Sequence, residues 1–298
     1  MSETSGLMQG KRGLVMGVAN DHSIAWGIAR MLSRHGAEIA FTYQGEAQAK
    51  RLRPLAASIG STILLPGDVE KDEELDATFA ALEQKWGSLD FLVHAIAFSD
   101  KDELKGRYVD TTRANFRRSL DISCYSFTAV AQRAARLMST GMGHRGGAMI
   151  TLTYLGANRV TPNYNVMGVA KAALEASVRY LAADLGRDGI RVNAISAGPM
   201  RTLAGSAVGD ARTMFKWNKA QAPLKINITL DQVGGAATYF LSELGSGVTG
   251  EIHFVDAGYN IVGVPPTVTL SGWVAPENGN GHEHAEAEGD KNAAREKV

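Results

Sequence analysis

The sequence predicts an α/β fold: a mostly parallel, doubly wound sheet flanked by helices on both faces. Three observations predict it. Short apolar runs alternate with helix-length amphipathic segments from Leu14 to Val255. Several of those runs are apolar nearly throughout, as strands covered on both faces must be. Neither an internal repeat nor a Pro/Gly/Ser-rich linker interrupts residues 8–264. Strand–helix alternation of this kind calls for right-handed crossovers, which place helices on both sides of a parallel sheet.

The first strand, Leu14–Met16, runs into Gly17 and then Ser23-Ile24-Ala25, where a helix over Ile24–His35 begins. A glycine lets the chain turn sharply there. The following helix offers free N–H groups and a positive dipole end to a pyrophosphate, and Ser23 is placed to cap it and meet a phosphate oxygen. Only Gly17 and Gly27 are glycines, so G-x-G-x-x-G is not matched and a plain strand–helix turn is the competing reading. The second strand, Glu38–Tyr43, ends in Gln44-Gly45-Glu46 with no basic residue before Lys50. Gln44 can bond a ribose or an adenine edge but offers no charge to a 2′-phosphate, which favours NADH over NADPH. After the third strand, Ile63–Leu65, come Asp68 and Val69, suited to an adenine or, equally, to capping the next helix, Glu73–Trp86. The fourth strand is Phe91–Ala95, and a helix is expected over Phe116–Met138.

The fifth strand, Ala148–Leu152, leads to the sharpest signal, Tyr154 followed by Tyr164 and Lys171 on a helix expected over Asn163–Arg187. Pro162 sits where such a helix begins. Tyr164 and Lys171 are seven residues apart and so share a helix face. A phenol and an ammonium on one face make a plausible acid pair, the lysine holding ribose hydroxyls while its charge stabilises the tyrosinate. A surface Tyr and Lys on an amphipathic helix is the bland alternative. The remaining elements are strands Val192–Ile195 and Glu251–Val255 around a helix at Asp231–Leu241.

Two stretches break the alternation. Residues 200–226 carry Met214, Phe215 and Trp217 among polar residues, as either a small surface helix pair or a lid over a pocket. Residues 270–298, rich in Gly, Asn, Ala and Glu beyond Asn278, have almost nothing to bury and are expected to be disordered. His282 and His284 there suggest no specific metal. One domain, 8–264, is therefore expected.

Composition narrows the function. Of 298 residues, 31 are basic and 31 acidic, so the zero net charge gives no support to wholesale binding of nucleic acid or membrane. The single cysteine, Cys124, excludes an intramolecular disulfide and a cysteine-cluster metal site. No apolar run approaches a membrane span, and the first residues lack the pattern of a signal peptide, so a cytoplasmic protein is expected.

Gly17 with Ser23-Ile24-Ala25, Gln44, Asp68-Val69, His94-Ala95-Ile96, Tyr154 with Tyr164 and Lys171, and Gly198-Pro199-Met200-Arg201-Thr202-Leu203-Ala204 together resemble the short-chain dehydrogenase/reductase superfamily. Within it they closely resemble the NADH-dependent enoyl-acyl-carrier-protein reductases of bacterial fatty-acid synthesis. The resemblance covers residues 8–264 and implies a single-domain Rossmann-type fold. It also implies reduction of the trans-2 double bond of enoyl thioesters on an acyl carrier protein, the last reductive step of type II elongation. Most of the superfamily pairs Tyr-x3-Lys with a serine 13 residues before the tyrosine. Here those two slots hold Met167 and Tyr154, and the working phenol, Tyr164, lies about one helical turn back. A turn is roughly 5.4 Å, which suits hydride arriving at Cβ with charge appearing on a more distant thioester oxygen.

The resemblance further implies Ile96, Met200, Thr202 and Ala204 beside the cofactor and Ser99 beside the thioester. Met167, Met214 and Phe215 would line an apolar acyl slot, with ordinary packing as the alternative for each. Ala97 stands where the family usually has Gly, leaving less room for flat aromatic inhibitors. Lys101, Lys105, Arg107, Arg113, Arg117 and Arg118, with Lys216, Lys219 and Lys225, form either a basic rim that steers an acidic carrier or a solvated helix face. A homotetramer is implied by the family. Two other functions compete: a carbonyl reductase acting on 3-oxoacyl or small ketone substrates, and an NAD(H)-binding module without catalysis.

Overall fold

The computed structural model describes residues 6–203 and 211–263. Seven strands form one wholly parallel sheet, in the order β3-β2-β1-β4-β5-β6-β7. They are β1 (Arg12–Met16), β2 (Glu38–Tyr43), β3 (Ile63–Pro66), β4 (Phe91–His94), β5 (Gly147–Thr153), β6 (Ile190–Ala197) and β7 (Ile252–Val255). All seven expected strands are present. β1 is third in that order, with Leu14 opposite Ala40 of β2 on one side and Leu92 of β4 on the other. The winding direction reverses between β1 and β4, and such a switch point opens a crevice at the carboxyl ends of the strands.

Alternate residues of each strand feed two separate cores, which is why the strands read as unbroken apolar runs. Val15, Phe41, Val93, Ile150 and Ile195 pack on one face against α1 (Ile24–Arg34), α2 (Glu46–Ser58) and α8 (Leu230–Leu241) through Ile28, Leu52 and Phe240. Leu14, Ala40, Leu92, Met149 and Val192 pack on the other against α3 (Asp72–Trp86), α5 (Ser126–Met138) and α6 (Asn165–Leu185) through Leu75, Phe127 and Leu174. Local chemistry sets the helix ends. Asp72, Glu73 and Glu74 complement the N-terminal dipole of α3, and Thr229 with Gln232 forms a reciprocal capping box on α8.

Three elements depart from expectation. Helix α2 is not signalled because its buried stripe is only Ala49, Leu52 and Ala56, and Pro54 lies within it on the exposed side. The helix expected over Phe116–Met138 is instead α4 (Arg113–Leu120), a π-helical turn at Asp121–Tyr125, and then α5. Of the expected lid, α7 (Ala211–Gln221) is described, and Trp217 Nε1 donates to the Tyr259 hydroxyl at 3.0 Å. Residues 204–210 of the lid, including Ala204, and the tail 270–298 lie outside the described residues. No helix among the described residues is long and apolar enough to cross a membrane.

Candidate active site

The crevice is built on the ends of β1, β4, β5 and β6. Gly17 leaves β1 at φ +96°, and a Cβ there would stand 2.1 Å from the Ala95 carbonyl oxygen, so no other residue fits where the chain exits beside β4. The Ser23 hydroxyl does not cap α1 as expected. It turns back into the loop and accepts from the N–H groups of Ala19 and Asn20, both at 3.0 Å. Ser23 thus shapes the turn, and Ile24 and Ala25 open the helix, where first-turn N–H groups have no carbonyl partner within it. Gln48, which sequence reading missed, ties this turn to the end of β2. Its Nε2 donates to Val18 O at 2.8 Å, and its Oε1 accepts from the N–H of Gln44. Arg51 Nε donates to Ala19 O. Asp68 accepts from the N–H of Glu70 at 3.1 Å and pairs with Lys71, while Val69 packs beneath the α3 face of the sheet.

Tyr164 stands at the threshold of α6 as its N-cap, not inside the helix, because Asn163 and Asn165 on either side adopt left-handed backbone (φ 60° and 39°). Such conformations are strained for side-chain-bearing residues other than Asn or Asp and cluster at functional sites. Asn165 is held by its own side chain, whose Nδ2 faces the carbonyls of Glu103, Leu104 and Gly106 at 3.2–3.3 Å. That contact seats Leu104 in a small apolar cluster with Tyr164, Met167 and Tyr154. The two tyrosine rings meet edge to face, centroids 5.1 Å apart. Gly156 permits this packing, since a Cβ there would lie 2.4 Å from the Tyr164 ring.

Lys171 is 6% exposed, and its ammonium donates to Leu152 O at 2.8 Å. Burial lowers its pKa to about 8, against opposing effects of Cys124 and Glu175. Burial also holds Tyr164 well above the ordinary phenol range, with Tyr154 and Glu175 adding to the shift, and pushes Tyr154 up to about 12. Desolvation is the largest influence on Tyr164 and favours the protonated phenol.

The π-helical turn is pinned from the sheet. His94 is fully buried, with Nε2 2.9 Å from the Ser126 hydroxyl and Nδ1 3.1 Å from that of Thr151. The Ser126 hydroxyl donates to Ile122 O and the Thr151 hydroxyl to His94 O, which ties the imidazole to both the π turn and the sheet. Burial lowers the His94 pKa to about 3. The unfolded chain takes up this proton near pH 6.5 and the folded chain only near 3, so stability present above pH 6.5 is lost as pH falls through that window. The loss reaches at most about 5 kcal/mol at the acid end. Urea unfolding at a series of pH values is expected to show this slope, and His94→Gln to flatten it; equal slopes in both proteins would remove the assignment.

The other expected site residues are placed as follows. Ile96 packs against the α3-side core, and Met200 against the α1-side core, with Thr202 N bonded to Met200 O. Ser99 exchanges hydrogen bonds with Asn115 on α4. Ser123, in the π turn, accepts from Phe98 N and donates to Phe98 O, with Met167 Sδ 3.7 Å away. Met214 and Phe215 lie on α7, Phe215 beneath the Arg201 guanidinium, outside the described cluster around Tyr164. Arg118 is not a free rim cation: it pairs with Glu70 through two bonds and stacks on Phe98. Among the described residues no group of three or more His, Cys, Asp and Glu is placed to hold a metal ion.

Residues 17–260 match the family described as enoyl-(acyl carrier protein) reductase. The chain belongs to that family. It is 64% identical over 266 residues to enoyl-(acyl-carrier-protein) reductase (NADH) 2 of Rhizobium meliloti, covering 89% of this chain and 97% of that protein. Identity is 57% over 260 residues to the Rickettsia conorii reductase, covering 87% of this chain and 98% of that one. Among solved structures, the Anaplasma phagocytophilum enoyl-(acyl-carrier-protein) reductase in complex with NAD superposes with a TM-score of 0.84 at 54% identity, over 90% of this chain and 98% of that one. The Bacillus cereus enoyl-acyl carrier protein reductase with NADP+ and indole naphthyridinone has a TM-score of 0.84 at 50% identity, over 87% and 99%. Within this enoyl-(acyl carrier protein) reductase chain, Glu175, Leu104 and Asn165 escaped sequence reading. Glu175 alone had a usable signal, lying four residues beyond Lys171 on the same helix face.

Proposed function

We propose that the chain reduces the trans-2 double bond of enoyl thioesters on acyl carrier protein with NADH. The arrangement of Tyr164, Met167 and Lys171 carries this reading. The position four before Lys171, where a ketone reductase needs its phenol, holds a buried methionine, and the phenol stands one turn back in an apolar pocket.

The residues present fit the dinucleotide. Lys171 has three donors, and Leu152 takes one of them, so a ribose diol meets an otherwise costly buried cation. The β2 terminus at Gln44 is uncharged, and Glu46 beyond it is engaged by Arg53, which favours a 2′-hydroxyl over a 2′-phosphate. Gly17, Ser23, Ile24, Gln44, Asp68, Val69, Ile96, Met200, Thr202 and Lys171 would hold the cofactor. NADH, when bound, supplies the hydride.

Tyr164, protonated at Oη throughout the working pH range, donates to the thioester oxygen as charge gathers there, an oxyanion donor preorganised by its apolar surroundings. Tyr154 packs against it and orients the substrate. Leu104 and Met167 exclude water from the reacting centre, with Ser99, Met214 and Phe215 along the acyl path. Lys101, Lys105, Arg107, Arg113, Arg117, Lys216 and Lys219 would steer an acidic carrier. Exposed Tyr125 and Tyr180 beside the long helices would meet further copies in a homotetramer. A cytoplasmic location completes the proposal.

Oxidation of NADH followed at 340 nm with crotonyl and acetoacetyl thioesters tests the reading. Rapid turnover of crotonyl thioester alone is expected, with NADH preferred to NADPH. Turnover of acetoacetyl thioester alone would make the chain a carbonyl reductase, and NADH binding without turnover of any enoyl thioester would make it a binding module.

A further inference from the structure

We propose that Glu175 is a positioning residue for this reaction: from α6 its carboxylate grips both ends of Thr153–Asn158, the segment that carries Tyr154 and forms the wall behind Tyr164. The proposal rests on the function argued above. Lys171 and Glu175 are four residues apart on α6 and so lie within roughly 40° of one line along the helix, with Tyr164 at its threshold. Glu175 is 5% exposed. A buried carboxylate is costly unless bonded, and carboxylates in that position usually find a cation. Glu175 has no ion pair among the described residues; two neutral donors satisfy it instead. Thr153 Oγ1 donates to its Oε1 at 2.7 Å, and Asn158 Nδ2 donates to its Oε2 at 3.1 Å.

Those two donors bracket the segment. Thr153 is the last residue of β5, and Asn158 closes a tight turn in which Ala157 N bonds Tyr154 O and Asn158 N bonds Leu155 O. Between them lie Tyr154, whose ring meets Tyr164, and Gly156, whose backbone abuts the same ring. A displacement of either end moves the surface that Tyr164 leans on. The carboxylate also acts electrostatically on Lys171 and Tyr164, so comparison of variants belongs at pH 6.5, below the lysine titration.

Glu175→Gln keeps both bonds once the Asn158 amide turns over, whereas Glu175→Ala removes them and Asn158→Ala removes one. Misplacement of reacting groups is costly, so Glu175→Ala is expected to lower kcat about tenfold or more and Asn158→Ala by about threefold or more. Glu175→Gln should stay within about threefold of wild type, and the NADH dissociation constant, read by fluorescence, within about twofold in all three. Hydrogen exchange of the amides from Leu155 to Arg159 should quicken in both alanine variants and not in Glu175→Gln. Wild-type kcat in Glu175→Ala overturns the proposal, as does a Glu175→Gln protein as impaired and as quickly exchanging as Glu175→Ala. If Glu175→Ala does not fold, Asn158→Ala decides: unchanged kcat with unchanged exchange overturns the clamp. A wild-type chain inactive on enoyl thioesters would instead sink the functional reading, and the exchange comparison would still report on the clamp.

Discussion

Replacing Tyr164 with Phe is expected to lower kcat on an enoyl thioester by about 10²–10³-fold, the effect of removing one preorganised oxyanion donor. Cofactor affinity should be unmoved. The substitution removes only Oη. The ring, 9% exposed and packed against Leu104, Met167 and Tyr154, stays in place, so the fold and the edge-to-face contact survive. Burial has already decided how this hydroxyl works. A phenol held far above its ordinary pKa is a poor acid but a lasting hydrogen-bond donor, which suits a charge that develops and then collapses on an oxygen. Tyr154→Phe separates the two tyrosines. The Tyr154 hydroxyl is engaged by the Thr161 side chain, so its loss should cost less than that of Tyr164. Stopped-flow traces of NADH oxidation check both. Unchanged kcat in Tyr164→Phe, or a larger loss in Tyr154→Phe, would remove Tyr164 from the chemistry.

What the sequence made legible follows from where each signal is stored. Strands buried on both faces announce themselves, because two cores demand apolar side chains at every position, as in Leu14-Val15-Met16. The helix that carries Lys171 was legible from its periodicity, whereas the place of Tyr164 just outside it was not, because left-handed Asn163 and Asn165 break that periodicity at its start. Helix α2 was illegible because two of its three buried positions are alanines. The π turn was illegible because its cause is remote in sequence: His94, 32 residues before Ser126, reaches across from the sheet. Leu104 reaches the site on a loop that Asn165 gathers by three carbonyls from about 60 residues away. Ser23 shows the opposite failure. Its residue type and position were right for a cap, and the hydroxyl found better partners behind it.

Lys171→Met is expected to abolish turnover and yet stabilise the empty protein. In the folded chain this ammonium titrates near 8, against 10.5 when unfolded. A basic group whose pKa is lowered by folding costs stability wherever both states are charged. Here the cost is full below pH 8, shrinks as pH rises from 8 to 10.5, and is gone above that. The shift corresponds to about 3 kcal/mol at neutral pH. Methionine fills the same unbranched space without a charge and forfeits the bond to Leu152 O, worth about 1.5–3 kcal/mol for a charged donor. The variant should therefore be more stable by up to about 1.5 kcal/mol at pH 7, with the difference reversing as pH approaches 10.5. Denaturant unfolding at pH 7 and pH 10 measures it; a Lys171→Met protein less stable at both values would refute the account. The same titration sets the alkaline limit of the wild-type enzyme. Since kcat/KM reports ionisations of the free enzyme, it should fall through about pH 8 as Lys171 loses the proton that binds the ribose, while both tyrosines remain protonated. The lysine is thus held at a thermodynamic disadvantage that only the ligand relieves, and the excess stability of Lys171→Met over wild type should vanish or invert when saturating NADH is added to both.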